Sequence, residues 1–267
     1  MPNLGIDAPQ LETRGVLYVA KGADYADLAV QSALSLRQVD PTLPIEIMTD
    51  ASVQPGIFDS VRPLPETETR DKIAGMLTTR FDRTLFLDCD TLVVGPLAEG
   101  FDLLDRFDLC ISHEVRRSSQ LITTGWKETP PDIFGQHNSG VMYFRKSAEM
   151  MSFLRAWSQA YVAASQGRDQ VTLRDLLWSS DLRFWVLPPE FNLRRVTLAD
   201  VWEPLDAVPR VIHSHHLLRH LRHGLPRVTS FAEILELERA AHKEEWAARD
   251  EASDILAGLS AAREAED

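Results

Sequence analysis

Apolar and polar residues follow two different periodicities along the chain, and these predict strands and helices in alternation. The short apolar run at residues 15–20 and the alternating segment at residues 44–50 are typical of β-strands. Between them, apolar residues recur at the three- and four-residue spacings of one helix face. That face comprises Tyr25, Leu28, Ala29 and Leu36. With Asp24 as its N-cap, this helix completes a strand–helix–strand unit, which implies a parallel sheet.

The same alternation continues through the rest of the chain. A helix near residues 71–79 leads to the apolar strand RTLFL at residues 83–87, and a later helix begins at Asp169. Further strands are predicted to end near Ser112 and to cover residues 137–145, 183–188 and 210–213. One amphipathic helix has an apolar face formed by Met150, Phe153, Leu154, Trp157 and Tyr161. We therefore predict an α/β fold with one mixed, mainly parallel sheet.

The C-terminal residues have a different pattern. Residues 1–228 read as a single domain, whereas residues 229–267 read as a charged helical tail. Ser230 and Glu233 have the spacing of a capping box, which marks the start of a helix. The apolar residues available for packing in this tail are Phe231, Ile234, Leu235, Leu237 and Trp246. We expect the tail to pack on the domain or to serve assembly, for example of a homo-oligomer.

Composition narrows the function classes. The 267 residues are 44% hydrophobic and 25% charged, as in soluble globular proteins, and the formal net charge is −12. This charge argues against nucleic acid or an anionic membrane surface as the main partner. Neither Cys89 nor Cys110 belongs to a CxxC motif, which favours a reducing compartment. We see no signal peptide and no apolar stretch of about 18 residues, so a cytoplasmic protein is expected.

Two carboxylates directly follow the strand RTLFL. Asp88 and Asp90, in the sequence DCD, can point to the same side, and ligands bind at the carboxyl ends of strands in open α/β sheets. Carboxylate oxygens suit Mg²⁺ or Mn²⁺, and such an ion would neutralise a diphosphate leaving group. The alternative is that both residues only cap a turn.

Two enzyme classes use a DxD pair after a strand. In haloacid-dehalogenase-like phosphatases the motif is DxDx[TV], but in DCDTL the threonine falls one position early. That class also needs a second acidic motif downstream, which the sequence lacks. The other class is the nucleotide-sugar transferases.

Four motifs in order favour the second class. They are DYAxLAVxSAxSL after the first strand, a basic helix before TLFLDCDTLVV, the strand HNSGVMYFR, and GRDQVTL followed by LPPEFN and VIH. Over residues 15–223 the chain resembles glycosyltransferase family 8, the group of bacterial lipopolysaccharide galactosyl- and glucosyltransferases and of glycogenin. The resemblance implies the GT-A fold, a Rossmann-like nucleotide-diphospho-sugar transferase domain.

The resemblance also implies a metal site. In this family the acidic pair and a histidine at a later strand end ligate the ion, which assigns Asp88, Asp90 and His213 to Mn²⁺ or Mg²⁺. His213 directly follows the apolar strand RVI, but His215 and His216 are close alternatives in HSHHLLRHLRH. A strand-end histidine with no role, or a separate zinc site made only of histidines, is a less favoured alternative.

Other positions match residues that contact the donor in the family. The resemblance places Asn138 and Gly140 at the donor sugar, and Asp169 and Gln170 at its reacting carbon, as the catalytic pair. Gly140 would otherwise serve strand packing, and Asp169 could also N-cap the helix that it begins. Arg219 stands where the family has a lysine that reaches the diphosphate, although the neighbouring glycine and Pro-Trp of the family are absent here.

The nucleotide end departs from the family pattern. Two acidic residues usually precede an Asn-Tyr pair there, whereas this chain has KGADY. Tyr25 could stack on a base and Asp24 could accept from it, but Tyr25 also fits the core face of its helix. Arg70, Lys72 and Cys89 complete the expected donor-binding set, and uridine is the expected nucleoside.

The expected function is therefore metal-dependent transfer of a hexose from a nucleotide diphosphate sugar, such as a UDP-sugar, to a hydroxyl group. The resemblance implies retention at the anomeric carbon, and the acceptor could be a sugar, a lipid-linked sugar or a protein. The polar segment 114–136, with Trp126, is the expected acceptor lid. The alternative from another class is a non-catalytic nucleotide-sugar binder or assembly protein.

Overall fold

A computed structural model describes residues 13–115, 125–128, 130–165 and 167–264. The strands are β1 (Arg14–Ala20), β2 (Ile45–Thr49), β3 (Ser60–Arg62), β4 (Arg83–Leu87), β5 (Thr91–Val93), β6 (Leu109–His113), β7 (His137–Arg145), β8 (Phe184–Leu187) and β9 (Val211–His213). The α-helices are α1 (Gly22–Val39), α2 (Asp71–Leu77), α3 (Ala148–Ala164), α4 (Asp169–Ser179), α5 (Arg219–His223) and α6 (Phe231–Glu264). Short 3-10 helices cover Ala98–Asp105, Pro189–Asn192, Val196–Asp200 and His215–Leu218.

Seven strands form one twisted sheet in the order β3-β2-β1-β4-β7-β6-β8. Strand β7 runs antiparallel to both of its neighbours, β4 and β6, and the other pairs are parallel. The predicted mixed, mainly parallel α/β sheet is therefore confirmed. Helices cover both faces of the sheet, which explains why the central strands β2, β4 and β7 are almost continuously buried.

A two-stranded ribbon of β5 and β9 stands apart from the main sheet. Its antiparallel register places Thr91 opposite His213. The amide of Ser214 also donates to the carbonyl oxygen of Asp90, over 3.2 Å. This ribbon brings the sequence-distant His213 to the residues that follow β4.

The start of helix α1 differs from the prediction. The helix begins at Gly22 with Lys21 as its N-cap, so Asp24 is not the cap. Gly22 has a φ of +79°, and its amide donates to Oδ1 of Asp50 over 2.6 Å. A carboxylate from the end of β2 therefore caps this helix, and no spacing within the helix could have predicted it.

The C-terminal tail begins with the predicted capping box. The hydroxyl of Ser230 accepts from the amide of Glu233 over 3.3 Å, and the Glu233 carboxylate accepts from the amide of Ser230 over 3.0 Å. Along α6, Ile234 is fully buried, whereas Trp246 is 49% exposed. Phe231, Leu235 and Leu237 pack against the same apolar cluster as α1. None of the helices in the described residues is long and apolar enough to cross a membrane.

A buried imidazole at the start of β7 gives the fold a pH dependence. His137 is buried, stacks on His113 with ring centroids 4.8 Å apart, and neither of its ring nitrogens has a hydrogen-bond partner among the described residues. Burial, reinforced by His113 and Arg174, lowers the pKa of His137 from 6.5 to about 3. Between these values the unfolded chain binds one more proton than the folded chain, so stability is lost as the pH falls from 6.5.

Replacing His137 with Phe should remove this dependence, because a phenyl ring fills a similar space and takes no proton. Between pH 6 and pH 4 we expect the free energy of unfolding of the wild type to fall more steeply than that of His137→Phe, by up to about 1.4 kcal/mol per pH unit. Urea unfolding at several pH values measures both slopes. Equal slopes for the two proteins would show that His137 is not the group responsible.

Candidate active site

A cavity of about 410 Å³ opens at the carboxyl ends of β1 and β4. The residues predicted for the site that line it are Tyr25, Arg70, Lys72, Asp88, Cys89, Asp90, Asn138, Asp169, Gln170 and His213. Gly140 is adjacent to the side chains of Asp88 and His213 but does not line the cavity itself. Asp24 and Arg219 are also not among the lining residues. Most of the predicted residues, drawn from six separate segments, therefore meet in one place.

Asp88, Asp90 and His213 form a cluster whose ligand atoms all lie within 4.8 Å of one another. Nε2 of His213 is 3.4 Å from Oδ1 of Asp90 and 3.9 Å from Oδ2 of Asp88. Burial opposes ionisation of Asp90, but His213 outweighs it and holds the pKa of Asp90 at about 2. Two carboxylate oxygens and one imidazole nitrogen are a donor set that suits Mn²⁺.

The second nitrogen of His213 is held by another side chain. Nδ1 lies 3.0 Å from Oδ1 of Asn192, an amide oxygen that can only accept. Nδ1 therefore carries a proton, and Nε2 is the nitrogen that faces the carboxylates, where an ion could take the place of a proton. Histidines that ligate metal ions are commonly oriented in this way.

A chain of amides and carboxylates continues from this contact. Asn192 donates to Oδ1 of Asn138 over 3.0 Å, and Nδ2 of Asn138 donates to Glu114 over 2.9 Å. Glu114 also accepts from Arg194 over 2.9 Å and from Gln170 over 3.3 Å. The chain thus connects the candidate metal ligand His213 to Gln170 through side chains that fix one another.

Gly140 allows this geometry because it lacks a side chain. Its carbonyl oxygen accepts from the amide of Asp88 over 2.8 Å, so the backbones of β4 and β7 lie close together at this point. A Cβ atom at position 140 would lie 2.6 Å from Nδ1 of His213 and 2.9 Å from Oδ2 of Asp88. Gly140 therefore does more than serve strand packing, since the candidate metal ligands occupy the space of its missing side chain.

Lys72 is a buried cation at the floor of the cavity. Its Nζ lies 2.8 Å from Oγ of Ser139, 3.0 Å from Oδ2 of Asp169 and 3.5 Å from Oδ1 of Asp88. Burial acts to lower the pKa of Lys72, but Asp169 and Asp88 outweigh it, so the pKa is raised. The lysine is therefore charged and compensates two carboxylates at once.

Asp169 is the first residue of α4 and not its cap, which is Arg168. Its carboxylate instead bonds Arg70 over 2.9 Å and accepts from Ser139 over 2.9 Å, in addition to Lys72. Burial acts to raise the pKa of Asp169, but Lys72 and Arg70 outweigh it and lower the pKa to about 2. The alternative of a capping role for Asp169 is wrong, because its side chain turns into the cavity.

Tyr25 and Lys21 line the end of the cavity where the sequence predicts the nucleotide. Tyr25 is 45% exposed, so the alternative that it belongs to the core face of α1 is wrong. Cys89 is buried, and its Sγ donates to the carbonyl oxygen of Val19 over 3.4 Å. Burial and the neighbouring Asp88 and Asp90 raise the pKa of this thiol, so it stays protonated.

The histidine-rich segment divides between two places. Only His213 lies beside the carboxylate pair, whereas His215 and His216 cluster with Glu238 of α6. After His213, the residues that line the cavity are Leu218 and Arg222. The charge expected from Arg219 is thus present at the cavity wall in Arg222, three residues later.

Helix α4 anchors the described parts of the segment expected to be a lid. The carboxylate of Asp175 accepts from the amides of Trp126, Lys127 and Glu128 over 2.7–3.0 Å. The guanidinium of Arg174 donates to the carbonyl oxygens of Pro130, Pro131 and Phe134. Residues 116–124 and 129 of this segment lie outside the described residues.

No sequence pattern marked four further members of the site, which are Glu114, Ser139, Asn192 and Arg194. Asn192 ends the motif LPPEFN and Ser139 stands inside HNSG, so both lay within segments already identified. Glu114 directly follows β6, a strand-end position that could have marked it. Arg194 carries no signal of this kind.

No protein-family model matches the chain, and no curated protein matches its sequence. Solved structures do share its fold. The galactosyltransferase LgtC, in complex with donor and acceptor sugar analogs, is 16% identical with a TM-score of 0.55, over 75% of this chain and 87% of that one. The glycosyltransferase GlyE from Streptococcus pneumoniae TIGR4 is 17% identical with a TM-score of 0.54, over 75% of this chain and 54% of that one.

Mouse xyloside xylosyltransferase 1 is 16% identical with a TM-score of 0.51, over 76% of this chain and 97% of its own. At these identities the likeness concerns the fold. It confirms the predicted GT-A fold, in one domain with a C-terminal helix.

Gly140→Ala should weaken metal binding, because the new methyl group would displace Asp88 or His213. We expect the affinity for Mn²⁺ to fall by about tenfold or more, as for changes to the groups that orient a metal ligand. Isothermal titration with Mn²⁺ measures this. Gly135→Ala is the matched control, since a Cβ there meets only His113, 3.8 Å away. Equal affinities in wild type and Gly140→Ala would contradict the assignment.

Proposed function

We propose that this protein is a metal-dependent glycosyltransferase of the family 8 type, which moves a hexose from a UDP-sugar to a hydroxyl acceptor with retention at the anomeric carbon. The observation that carries the proposal is the cluster of Asp88, Asp90 and His213 beside Asp169 and Lys72 in one cavity of a GT-A fold. The fold alone supports glycosyl transfer as a class, and the side chains support the rest.

Asp88, Asp90 and His213 would hold the ion, Mn²⁺ or Mg²⁺. When bound, the ion would supply positive charge to offset the charge that develops on a departing diphosphate. Asn192, which lies 3.0 Å from Nδ1 of His213, would hold the ring so that Nε2 faces the ion. Arg222, and Arg219 if the segment moves, would add cationic groups on the same side of the cavity.

Asp169 and Gln170 would face the sugar of the donor. Asp169 is held by Lys72, Arg70 and Ser139, and Gln170 is held by Glu114, so neither side chain needs to reorganise on binding. Preorganised polar groups of this kind stabilise developing charge more effectively than mobile ones. Asn138, fixed between Asn192 and Glu114, would contact the same sugar.

The carboxylates of Asp169 and Glu114, which are both paired with cations, would be poor general bases. The pKa of Asp169 is about 2, and the pKa of Glu114 is also lowered, because Arg194 and Asn138 outweigh its burial. A base with so low a pKa takes a proton from a hydroxyl group inefficiently at neutral pH. This favours a front-face reaction in which an oxygen of the departing phosphate takes the acceptor proton, and that geometry retains the configuration.

Tyr25 and Lys21 would meet the nucleoside. An exposed tyrosine at the mouth of a cavity offers a face for stacking on a base. Asp24, which was expected to accept a hydrogen bond from the base, does not line the cavity. A non-catalytic nucleotide-sugar binder is the second candidate, and this altered end of the site is the observation that favours it.

A donor panel tests the proposal. Thermal unfolding would be measured with UDP-, GDP-, ADP- and dTDP-sugars, each with Mn²⁺ and with EDTA, on wild type and Asp90→Asn. We expect a UDP-hexose to raise the melting temperature only with Mn²⁺, and we expect Asp90→Asn to lose the shift because it removes one anionic ligand. His223→Gln, an exposed change outside the cavity, is the control and should behave as wild type.

The same samples distinguish the two candidates when UDP release is followed. Release of UDP with Mn²⁺, absent in Asp169→Asn, would support the transferase. Binding of the donor without any hydrolysis or transfer, across a panel of sugar acceptors, would support the non-catalytic binder. If no nucleotide sugar shifts the melting temperature under either metal condition, the proposal is wrong.

A further inference from the structure

A second cluster of metal-ligating side chains lies where α6 meets the segment after His213. It consists of His215, His216 and Glu238, with one ligand atom from each within 4.8 Å of the others. His215 and His216 stack with ring centroids 4.3 Å apart at the start of a 3-10 helix. Neither the fold nor the proposed transferase chemistry requires two imidazoles to converge on a carboxylate of the C-terminal helix.

The contact between His216 and Glu238 is close but is not a hydrogen bond. Nε2 of His216 lies 3.3 Å from Oε1 of Glu238. That nitrogen is buried and has no hydrogen-bond partner among the described residues. A buried polar atom without a partner is costly, so an ion bound by this nitrogen and the carboxylate would stabilise the arrangement.

The distances fit one tetrahedral ion. Zinc binds imidazole nitrogen and carboxylate oxygen at about 2.0–2.2 Å, so two ligands of one tetrahedral ion lie roughly 3.4 Å apart. The 3.3 Å between His216 and Glu238 is close to this separation, and a ligand atom of the exposed His215 lies within 4.8 Å of both. Two imidazoles and one carboxylate favour zinc over the harder Mg²⁺ or Mn²⁺.

We propose that His215, His216 and Glu238 form a second metal site, which takes Zn²⁺ with a water molecule in the fourth position. It is distinct from the cluster of Asp88, Asp90 and His213, with which it shares no ligand. Because His215 is exposed, the ion can enter from solvent.

The ion would fasten α6 to a wall of the candidate active site. His215 and His216 begin the 3-10 helix that ends at Leu218, and Leu218 and Arg222 line the cavity. Glu238 lies on α6, which is tied elsewhere by the pair of Arg239 with Asp200, 2.5 Å apart. Zinc would therefore cross-link the C-terminal helix to the segment that follows the ligand His213, and it would order that segment.

Zinc stoichiometry tests the site in a protein whose first cluster is disabled. In the double variant Asp88→Asn/Asp90→Asn, equilibrium dialysis with elemental analysis should find one Zn²⁺ per chain. Adding Glu238→Gln should weaken this binding by about tenfold or more, because the amide is neutral but similar in shape. Adding His223→Gln instead should leave it unchanged, which excludes general binding by the histidine-rich segment.

Unfolding is a second, independent readout. Zn²⁺ should raise the melting temperature of the double variant, and Glu238→Gln or His215→Gln should abolish the rise. His215 is exposed, so its replacement keeps the test valid if the Glu238 variant fails to fold. The proposal is overturned if the double variant binds no Zn²⁺. It is also overturned if neither Glu238→Gln nor His215→Gln weakens the binding of Zn²⁺ to the double variant.

Discussion

The candidate site depends on the ion pairs that the ammonium group of Lys72 forms with two carboxylates. The ammonium group lies between Asp88 after β4, Asp169 at the start of α4 and Ser139 in β7, and so it joins three segments distant in sequence. The buried carboxylate of Asp169 would be costly without a cation, and the buried lysine would be costly without its anionic partners. These ion pairs therefore hold the end of β4, the start of α4 and strand β7 close together around the lysine.

A second network, of hydrogen bonds, fixes the other side chains of the site. From His213, hydrogen bonds pass through Asn192 and Asn138 to Glu114, which Arg194 neutralises. Each side chain in this network is therefore fixed by the next. Gly140 also contributes to this geometry, because the absence of a side chain there leaves room for His213 and Asp88 to approach each other.

Local patterns were enough to predict most of the fold, because burial imposes its own periodicity on strands and helices. The strand HNSGVMYFR and the capping box of Ser230 and Glu233 appear as expected. The predicted cap of α1, Asp24, is wrong, because Asp50 accepts from the first amide of the helix from another element. Asn192 and Arg194 were missed for the same reason, since their roles exist only after the β5–β9 ribbon has folded beside β4.

The measurement that tests the central claim most directly is electron paramagnetic resonance of Mn²⁺ bound to this protein, with and without UDP. If Asp88, Asp90 and His213 hold an ion that receives a diphosphate, the spectrum should show coupling to one imidazole nitrogen. That coupling should disappear in His213→Gln, and UDP should add coupling to phosphorus. A spectrum of fully hydrated Mn²⁺, or a bound ion with neither coupling, would contradict the account.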